Sequence, residues 1–259
     1  MWLPGTSWSC DLQQVTSGHV IRFVTICPNP LIFSGITHLL LLDDDVICFS
    51  IDMQIIRLDS NLEKIFCVKS GHSQALKVVR LVDKSLIVTG SMDGTVRVIS
   101  TSDGRTNHLL RGHLYPISTL NLGEDGPDSK SCIMSCDESG EIRVWTLSSG
   151  RCQFVLRPRP TGPELETVRL VQSEAIANIW PTQNFLIALT MNGKLHVWTH
   201  RSGHFRHTLD LGRSSNGAGA IFNQHFLSVI VDQSIITIGL FDLEKMRVSK
   251  SDSRYSTIT

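Results

Sequence analysis

Short apolar runs alternate with tight polar turns along most of the chain. One stretch shows the rhythm clearly: LKVVRLV at 76–82, SLIVTGS at 85–91, DGTVRVIS at 93–100 and TNHLLR at 106–111. These runs are rich in Val, Ile, Leu and Thr, which favour strands, and Asp, Ser or Gly stands in the intervening turns. The pattern therefore predicts four consecutive β-strands joined by tight turns.

The same pattern recurs in the next stretch of sequence. Gly71-His72 opens the first unit and Gly112-His113 opens the second, which continues as ISTLNL, CIMSCD, SGEIRVWT and CQFVLR. A period of about 40 residues with four strands per unit is typical of β-propeller blades. A four-stranded sheet cannot bury both of its faces alone, whereas sheets stacked beside one another bury each other's faces.

Weaker copies of the pattern extend in both directions, so we predict an all-β fold made of four-stranded antiparallel blades. We expect a single propeller domain over residues 1–248 with about six to seven blades, either incomplete or closed by strands from both chain ends. A polar tail follows. The predicted boundaries are 8–26 for a partial blade, 35–70, 71–111, 112–158, 166–210 and 216–248 for the blades, and 249–259 for the tail.

These units resemble the WD-repeat family. Its motif is a Gly-His before the first strand, a Ser or Thr in the second strand, an Asp in the following turn and a Trp-Asp at the end of the third. The resemblance implies a hydrogen-bonded network of His, Ser or Thr, Asp and Trp that braces each blade. The matching positions are His72, Thr89 and Asp93 in one unit, His113, Ser135 and Trp145 in the next, and Trp198 in a weaker one.

The matches to this motif are incomplete. Ile99 stands where the first unit should carry Trp, and Ser139 replaces the turn Asp of the second, with Asp137 two residues earlier. In the unit around Trp198, Ala188 replaces the hydroxyl residue. We therefore expect no unit to hold the full network.

Composition narrows the classes of protein that the chain represents. Hydrophobic residues make up 41% and charged residues 19%, which excludes a largely disordered chain. Lys and Arg total 24 and Asp and Glu also total 24, so the charge expected of a general nucleic-acid binder is missing. The seven Cys are widely spaced and odd in number, which disfavours a disulfide framework. Without a leader peptide or membrane span in this sequence, we expect an intracellular protein, cytoplasmic or nuclear.

The sequence contains few features that indicate an enzyme. No phosphate-binding, metalloprotease or nucleophile-elbow motif occurs. His200, His204 and His207 straddle a predicted turn without the spacing of a zinc site, and Cys132 and Cys136 lie too far apart along one strand to share a metal. We therefore expect no catalytic residue, no metal and no cofactor.

Partner binding is the remaining class of function. Gln74 and Tyr115 follow the Gly-His pairs and are expected at the rim of the blades, and Arg157 and Arg159 form a basic cluster. The resemblance implies a non-enzymatic scaffold or adaptor that presents a rigid surface to peptide motifs or domains of other proteins within a multiprotein complex. One alternative is the substrate-recognition propeller of an F-box-type ubiquitin ligase, or a fragment of one. A second is a structural subunit that completes a ring in trans.

Overall fold

The computed structural model describes the central part of the chain, and every regular element in this part is a β-strand. The described residues are 15–16, 19–20, 35–61, 63–125, 130–158, 175–211, 219–222, 226–231 and 234–239. Within them no helix has the length and apolar character needed to cross a membrane. The chain divides into two compact units, residues 1–71 and residues 72–259.

The first unit contains a short two-stranded sheet and one four-stranded antiparallel sheet, blade I. The short sheet pairs β1 (Val15–Thr16) with β2 (His19–Val20). Blade I consists of β3 (Ile36–Leu42), β4 (Asp45–Ser50), β5 (Gln54–Leu58) and β6 (Lys64–Lys69).

The second unit contains three four-stranded antiparallel sheets, blades II to IV, and a three-stranded sheet V, each with its strands in sequence order. Blade II consists of β7 (Leu76–Leu81), β8 (Leu86–Ser91), β9 (Val96–Ser100) and β10 (Thr106–Leu110). Blade III consists of β11 (Ile117–Asp125), β12 (Lys130–Asp137), β13 (Ile142–Thr146) and β14 (Cys152–Leu156). Blade IV consists of β15 (Ile176–Pro181), β16 (Phe185–Thr190), β17 (Lys194–Thr199) and β18 (Phe205–Asp210). Sheet V consists of β19 (Gly219–Phe222), β20 (Phe226–Val231) and β21 (Ser234–Gly239).

The core of the second unit lies between successive sheets. Side chains of blades II and III share one apolar cluster, those of blades III and IV share a second, and blade IV and sheet V share a third. The second strand of each blade is covered on both faces, and in β16 all six residues are buried. The fourth strands β10, β14 and β18 each form an edge of their sheet, and most of their residues are exposed or half-buried.

Two local features recur in every blade and define equivalent positions. The register of the first strand shifts near its start, as between Ile117 and Thr119 in blade III. The residue after the second strand donates its backbone N–H to the segment before the first, as Met92 donates to Ala75 at 2.9 Å in blade II. Antiparallel four-stranded sheets with this repeated geometry are the blades of a β-propeller. The ring closure and blade number stay predictions, since most of 8–26 and all of 240–259 lie outside the described residues.

Candidate functional site

The histidine of blade II lies in a buried polar cluster. His72 Nε2 lies 2.9 Å from the Thr89 hydroxyl, and His72 Nδ1 lies 3.1 Å from Asp93 Oδ2. The Thr95 hydroxyl donates to the other carboxylate oxygen at 2.6 Å. Burial raises the pKa of Asp93, but the hydrogen bonds from Thr95 and from the Ser73 backbone outweigh it and bring that pKa to about 2. Burial lowers the pKa of His72 in spite of the neighbouring carboxylate.

Blade III joins four side chains in one hydrogen-bonded network. His113 Nδ1 lies 3.0 Å from Asp137 Oδ2, and His113 Nε2 lies 2.8 Å from the Ser135 hydroxyl oxygen. Trp145 donates its indole N–H to the same hydroxyl oxygen at 2.8 Å. The expectation that no unit holds the full set is therefore wrong for blade III. Asp137 is the last residue of strand β12, and its carboxylate contacts the His113 imidazole. The carboxylate therefore comes from two residues before the turn position that Ser139 occupies.

The donor and acceptor pattern of this network fixes the form of its neutral imidazole. The ionised Asp137 carboxylate can only accept, so its partner Nδ1 must be the protonated ring nitrogen, and Nε2 of the neutral ring accepts from the Ser135 hydroxyl. Nδ1 therefore donates to Asp137. Burial raises the pKa of Asp137, but the hydrogen bonds from His113 and Ser139 lower it further, so that the net shift is downward.

Blade IV has a different interior at the same positions. Ala188 lies in strand β16 where blade III has Ser135, and Trp198 is buried without a hydrogen-bond acceptor among the described residues. Its indole instead contacts aromatic rings, with the centroid of Phe205 at 6.1 Å and that of His196 at 6.0 Å. Trp198 therefore contributes apolar packing where Trp145 also contributes a hydrogen bond.

One group of side chains in the described part of the chain has the composition of a metal site. The ligand atoms of His113, Asp137 and Glu141 lie within 4.8 Å of one another. Arg143 donates to one oxygen of Glu141 at 2.7 Å and Arg157 to the other at 2.5 Å. These two guanidinium groups already compensate the Glu141 charge and would repel a cation, so the geometry favours the hydrogen-bonded network. Burial raises the pKa of Glu141, but both arginines lower it, and the net shift is downward.

The other histidines and cysteines considered as metal ligands in the sequence, so far as the structure describes them, do not form a metal site. His200 is buried and contacts the Thr182 carbonyl oxygen, with its Nε2 3.7 Å from Cys132 Sγ. His204 is exposed on the neighbouring turn. Cys132 and Cys136 are both buried, and no disulfide forms among the described cysteines.

The two predicted rim residues, Gln74 and Tyr115, lie on one surface of the second unit. The Ser91 hydroxyl donates to the Gln74 carbonyl at 2.9 Å, which fixes this segment against the turn that contains Met92. That turn also lies against the segment carrying Tyr115. Gly94 has a φ of +73°, and a Cβ atom there would lie 3.2 Å from the Tyr115 carbonyl oxygen, so the two backbones approach closely.

Two apolar residues that sequence reasoning missed belong to the same surface. Leu114 is 87% exposed and Met92 is 38% exposed, beside Tyr115 at 54%. Leu114 directly follows a Gly-His pair, and Met92 directly follows the second strand of blade II. Both positions could have been identified from the sequence. We call Gln74, Met92, Leu114 and Tyr115 the Tyr115 surface.

One arginine of the predicted basic cluster has an ionic partner within the chain. Arg157 pairs with the buried carboxylate of Glu141 while most of its side chain remains exposed. It also borders an open groove with Val155, Trp198 and Phe205. Arg159 lies outside the described residues.

Comparison with known proteins agrees with this geometry. Residues 64–100 match the family model of the WD domain, G-beta repeat. The crystal structure of the computationally designed Ika8 protein has the same fold, with a TM-score of 0.62 at 18% identity over 80% of this chain and 59% of that one.

Two of three curated relatives carry WD repeats in their names. A WD repeat and HMG-box DNA-binding protein 1 from Xenopus laevis is 34% identical over 50% of this chain and 11% of its own length. A bromodomain and WD repeat-containing protein from Dictyostelium discoideum is 27% identical over 62% of this chain and 7% of its own. A target of rapamycin complex subunit, wat1, from Schizosaccharomyces pombe is 27% identical over 49% of this chain and 36% of its own.

These matches and the blade geometry agree on one class of protein. The chain resembles the WD-repeat family of β-propeller proteins, whose repeat model matches residues 64–100. It spans between 7% and 36% of the length of the three curated relatives named above.

Proposed function

We propose that the chain is a non-enzymatic scaffold that binds other proteins through the Tyr115 surface. The observation that carries this proposal is the exposure of Leu114 and Tyr115 on a segment that lies against the turn containing the exposed Met92. Single exposed apolar side chains are ordinary, but adjacent ones supply the anchor residues around which protein interfaces form. The relatives support the role, since one of them is named as the subunit of a complex.

The backbone beneath the Tyr115 surface is held in place before any partner arrives. The turn carrying Met92 is bonded to Ala75 through a backbone hydrogen bond of 2.9 Å, and the His113 imidazole is anchored in the blade III network. Little ordering of the loop is then needed on association, and a preformed surface loses less conformational entropy. Polar groups border the apolar centre, including an ion pair between Lys77 and Glu138 at 3.7 Å.

The other functional predictions stand beside this proposal without a finding that favours them. The ubiquitin-ligase alternative and the ring completed in trans stay predictions, as does an intracellular location. The Arg157 contact with Glu141 supports a structural role for that arginine rather than the partner-binding role predicted for it.

Quantitative affinity capture with matched variants tests the proposal. The double variant Leu114→Ser, Tyr115→Ala removes both apolar anchors, and the control Val155→Ser removes an apolar side chain that is 49% exposed in strand β14. We expect partners captured by the wild-type chain to be lost from the double variant and retained by the control. Truncating an interface anchor costs about 2 kcal/mol, which is roughly thirtyfold in affinity.

The same experiment contradicts the proposal if both variants capture every partner at the wild-type level. Circular dichroism and thermal unfolding of each variant separate a lost interface from a lost fold. The replaced side chains are exposed, so we expect the unfolding temperature to change little.

A further inference from the structure

A small basic cleft lies at the end of blade IV where strand β17 turns into strand β18. Asn184, Phe185, Thr199, Arg201 and Arg206 line its volume of about 240 Å³. All five residues belong to this one blade, so a single sheet determines the shape of the cleft. The cleft and the turn at Met191 lie at opposite ends of β17.

The cleft carries positive charge that the described residues do not neutralise. Several other arginines pair with carboxylates, as Arg57 does with Asp45 at 2.6 Å and Arg143 with Glu141 at 2.7 Å. Within the described part of the chain, the two arginines of the cleft pair with no carboxylate, and no acidic residue lines the cavity. Two guanidinium groups beside one cavity are a strong attractant for an oxyanion.

The donors of the cleft are partly oriented in advance. Arg206 donates its Nε–H to the Thr199 hydroxyl oxygen at 2.7 Å, which holds the base of the guanidinium in place beside the cavity. Phe185, which is 5% exposed, closes one wall with an apolar ring. Because an apolar wall reduces the access of water, charged hydrogen bonds in the cleft are stronger than at an open surface.

The neighbouring blade builds the same turn and offers an internal comparison. In blade IV the Thr199 N–H donates to the His204 carbonyl at 2.8 Å, and in blade III the Thr146 N–H donates to the Arg151 carbonyl at 2.9 Å. These equivalent bonds place the two turns in register, residue by residue.

Blade III carries uncharged residues at both arginine positions of that turn. Ser148 occupies the place of Arg201, and Gln153 occupies the place of Arg206. Gln153 donates to the Thr146 hydroxyl at 2.7 Å, which is the contact that Arg206 makes with its own threonine. The fold therefore does not require arginine at these positions, and the charge of the blade IV cleft is available for binding.

We propose that this cleft binds a phosphoserine or phosphothreonine side chain of a protein partner, a role that rests on the scaffold function proposed above. A phosphate monoester carries a charge of about −2, which matches two guanidinium groups, and it offers three oxygens to forked donors. A carboxylate would leave one guanidinium uncompensated. A membrane-binding surface would need exposed apolar side chains, and none of the cleft residues supplies one.

Fluorescence anisotropy with the full chain tests this assignment. The probes are labelled peptides of degenerate flanking sequence with a central phosphoserine, together with matched peptides that carry Ser or Asp. The variant Arg201→Ser, Arg206→Gln installs the residues of blade III and keeps the threonine contact. The control Arg111→Ser, Arg151→Ser removes the same charge from exposed positions outside the cleft.

We expect the wild-type chain and the control to bind the phosphoserine peptides at least about tenfold more tightly than either matched peptide set. The cleft variant should lose this preference, since each charge-assisted hydrogen bond contributes about tenfold or more in affinity. Unchanged phosphopeptide binding by the cleft variant would overturn the proposal, as would equal binding of the Asp peptides.

Two further arms identify the source of the phosphate. Inorganic phosphate that binds the cleft as tightly as the peptides would overturn the assignment to a protein partner. Tighter binding to phosphatidylcholine vesicles containing phosphatidylserine than to the peptides would overturn it in favour of a membrane.

The proposal for the cleft and the proposal for the Tyr115 surface can be refuted independently. The cleft variant retains Leu114 and Tyr115, so partner capture through that surface should persist when phosphopeptide binding is lost. Partner capture that does not depend on Leu114 and Tyr115, with phosphopeptide binding intact, would refute only the Tyr115 surface.

Discussion

Blades III and IV have the same four-strand geometry but different interiors. In blade III, His113, Ser135, Asp137 and Trp145 form a continuous buried network. In the described part of blade IV, Ala188 replaces the serine, Trp198 packs against Phe205, and all six residues of β16 are buried. The second strand and the tryptophan are thus joined by a hydrogen bond in blade III and by nonpolar packing in blade IV.

The comparison shows that the network is not required to form a blade. Both sheets bury apolar faces against their neighbours, and this burial is the general driving force for folding. The network adds a conditional contribution: it stabilises blade III while every member is paired, and it becomes costly when one member is lost. Blade III should therefore be the more sensitive to single substitutions and to pH.

The largest expected difference between the two blades concerns the last residue of the second strand. Asp137 pairs with His113 and accepts the Ser139 and Glu141 backbone N–H groups, whereas its uncharged equivalent Thr190 accepts the Lys194 N–H at 3.0 Å. We expect Asp137→Ala to lower the free energy of unfolding by about 3 kcal/mol, since it leaves Nδ1 of a buried imidazole and two backbone N–H groups without their acceptor. Thr190→Ala should cost about 1 kcal/mol. Urea denaturation of both variants measures the difference, and equal costs would contradict a special contribution from the network.

A smaller difference is expected between the two tryptophans. Trp145 and Trp198 are each 2% exposed, so replacement by Phe removes similar apolar area from both sites. Trp145→Phe also removes the hydrogen bond to Ser135, and we expect it to cost about 1 kcal/mol more than Trp198→Phe.

A double-mutant cycle that adds Ser135→Ala separates this hydrogen bond from the packing term. Additive losses in the cycle would show that the indole N–H and the hydroxyl do not stabilise each other.

The smallest expected effect is the pH dependence that the histidine and carboxylate of blade II give to the stability of the fold. The pKa of Asp93 is about 2 in the folded chain, against an ordinary value of 3.8. A lowered carboxyl pKa stabilises the fold at pH values above 3.8, and this contribution is lost as the pH falls from about 4 to about 2. Burial also lowers the pKa of His72, so stability should begin to decrease below pH 6.5 as the unfolded chain takes up a proton.

The variant Asp93→Asn isolates the carboxyl part of this dependence. Asp93 is partly screened by solvent, so we expect the wild type to lose about 1 kcal/mol more than the variant between pH 4 and pH 2. Thermal unfolding across this range measures both curves. Parallel curves would show that Asp93 contributes no charge-dependent stability.

The sequence allowed much of the fold to be predicted, and less of the polar network. The strands of blades II to IV lie within the predicted units, because alternating apolar residues and turn residues are local signals. Asp137 illustrates the limit. The motif placed the carboxylate in the turn at Ser139, but the imidazole of His113 is within reach of a side chain two residues earlier, at the end of β12.

By itself the sequence determined the repeating unit, the strand positions and the WD-repeat resemblance, because these depend on the order of residues along the chain. The tertiary structure decided which distant side chains meet. The segment of Tyr115 lies against the turn that contains Met92, and Arg201 and Arg206 share a cleft with Asn184. The apolar pattern and the turns specify register within a hairpin, whereas contacts between separate turns and blades depend on how the sheets pack.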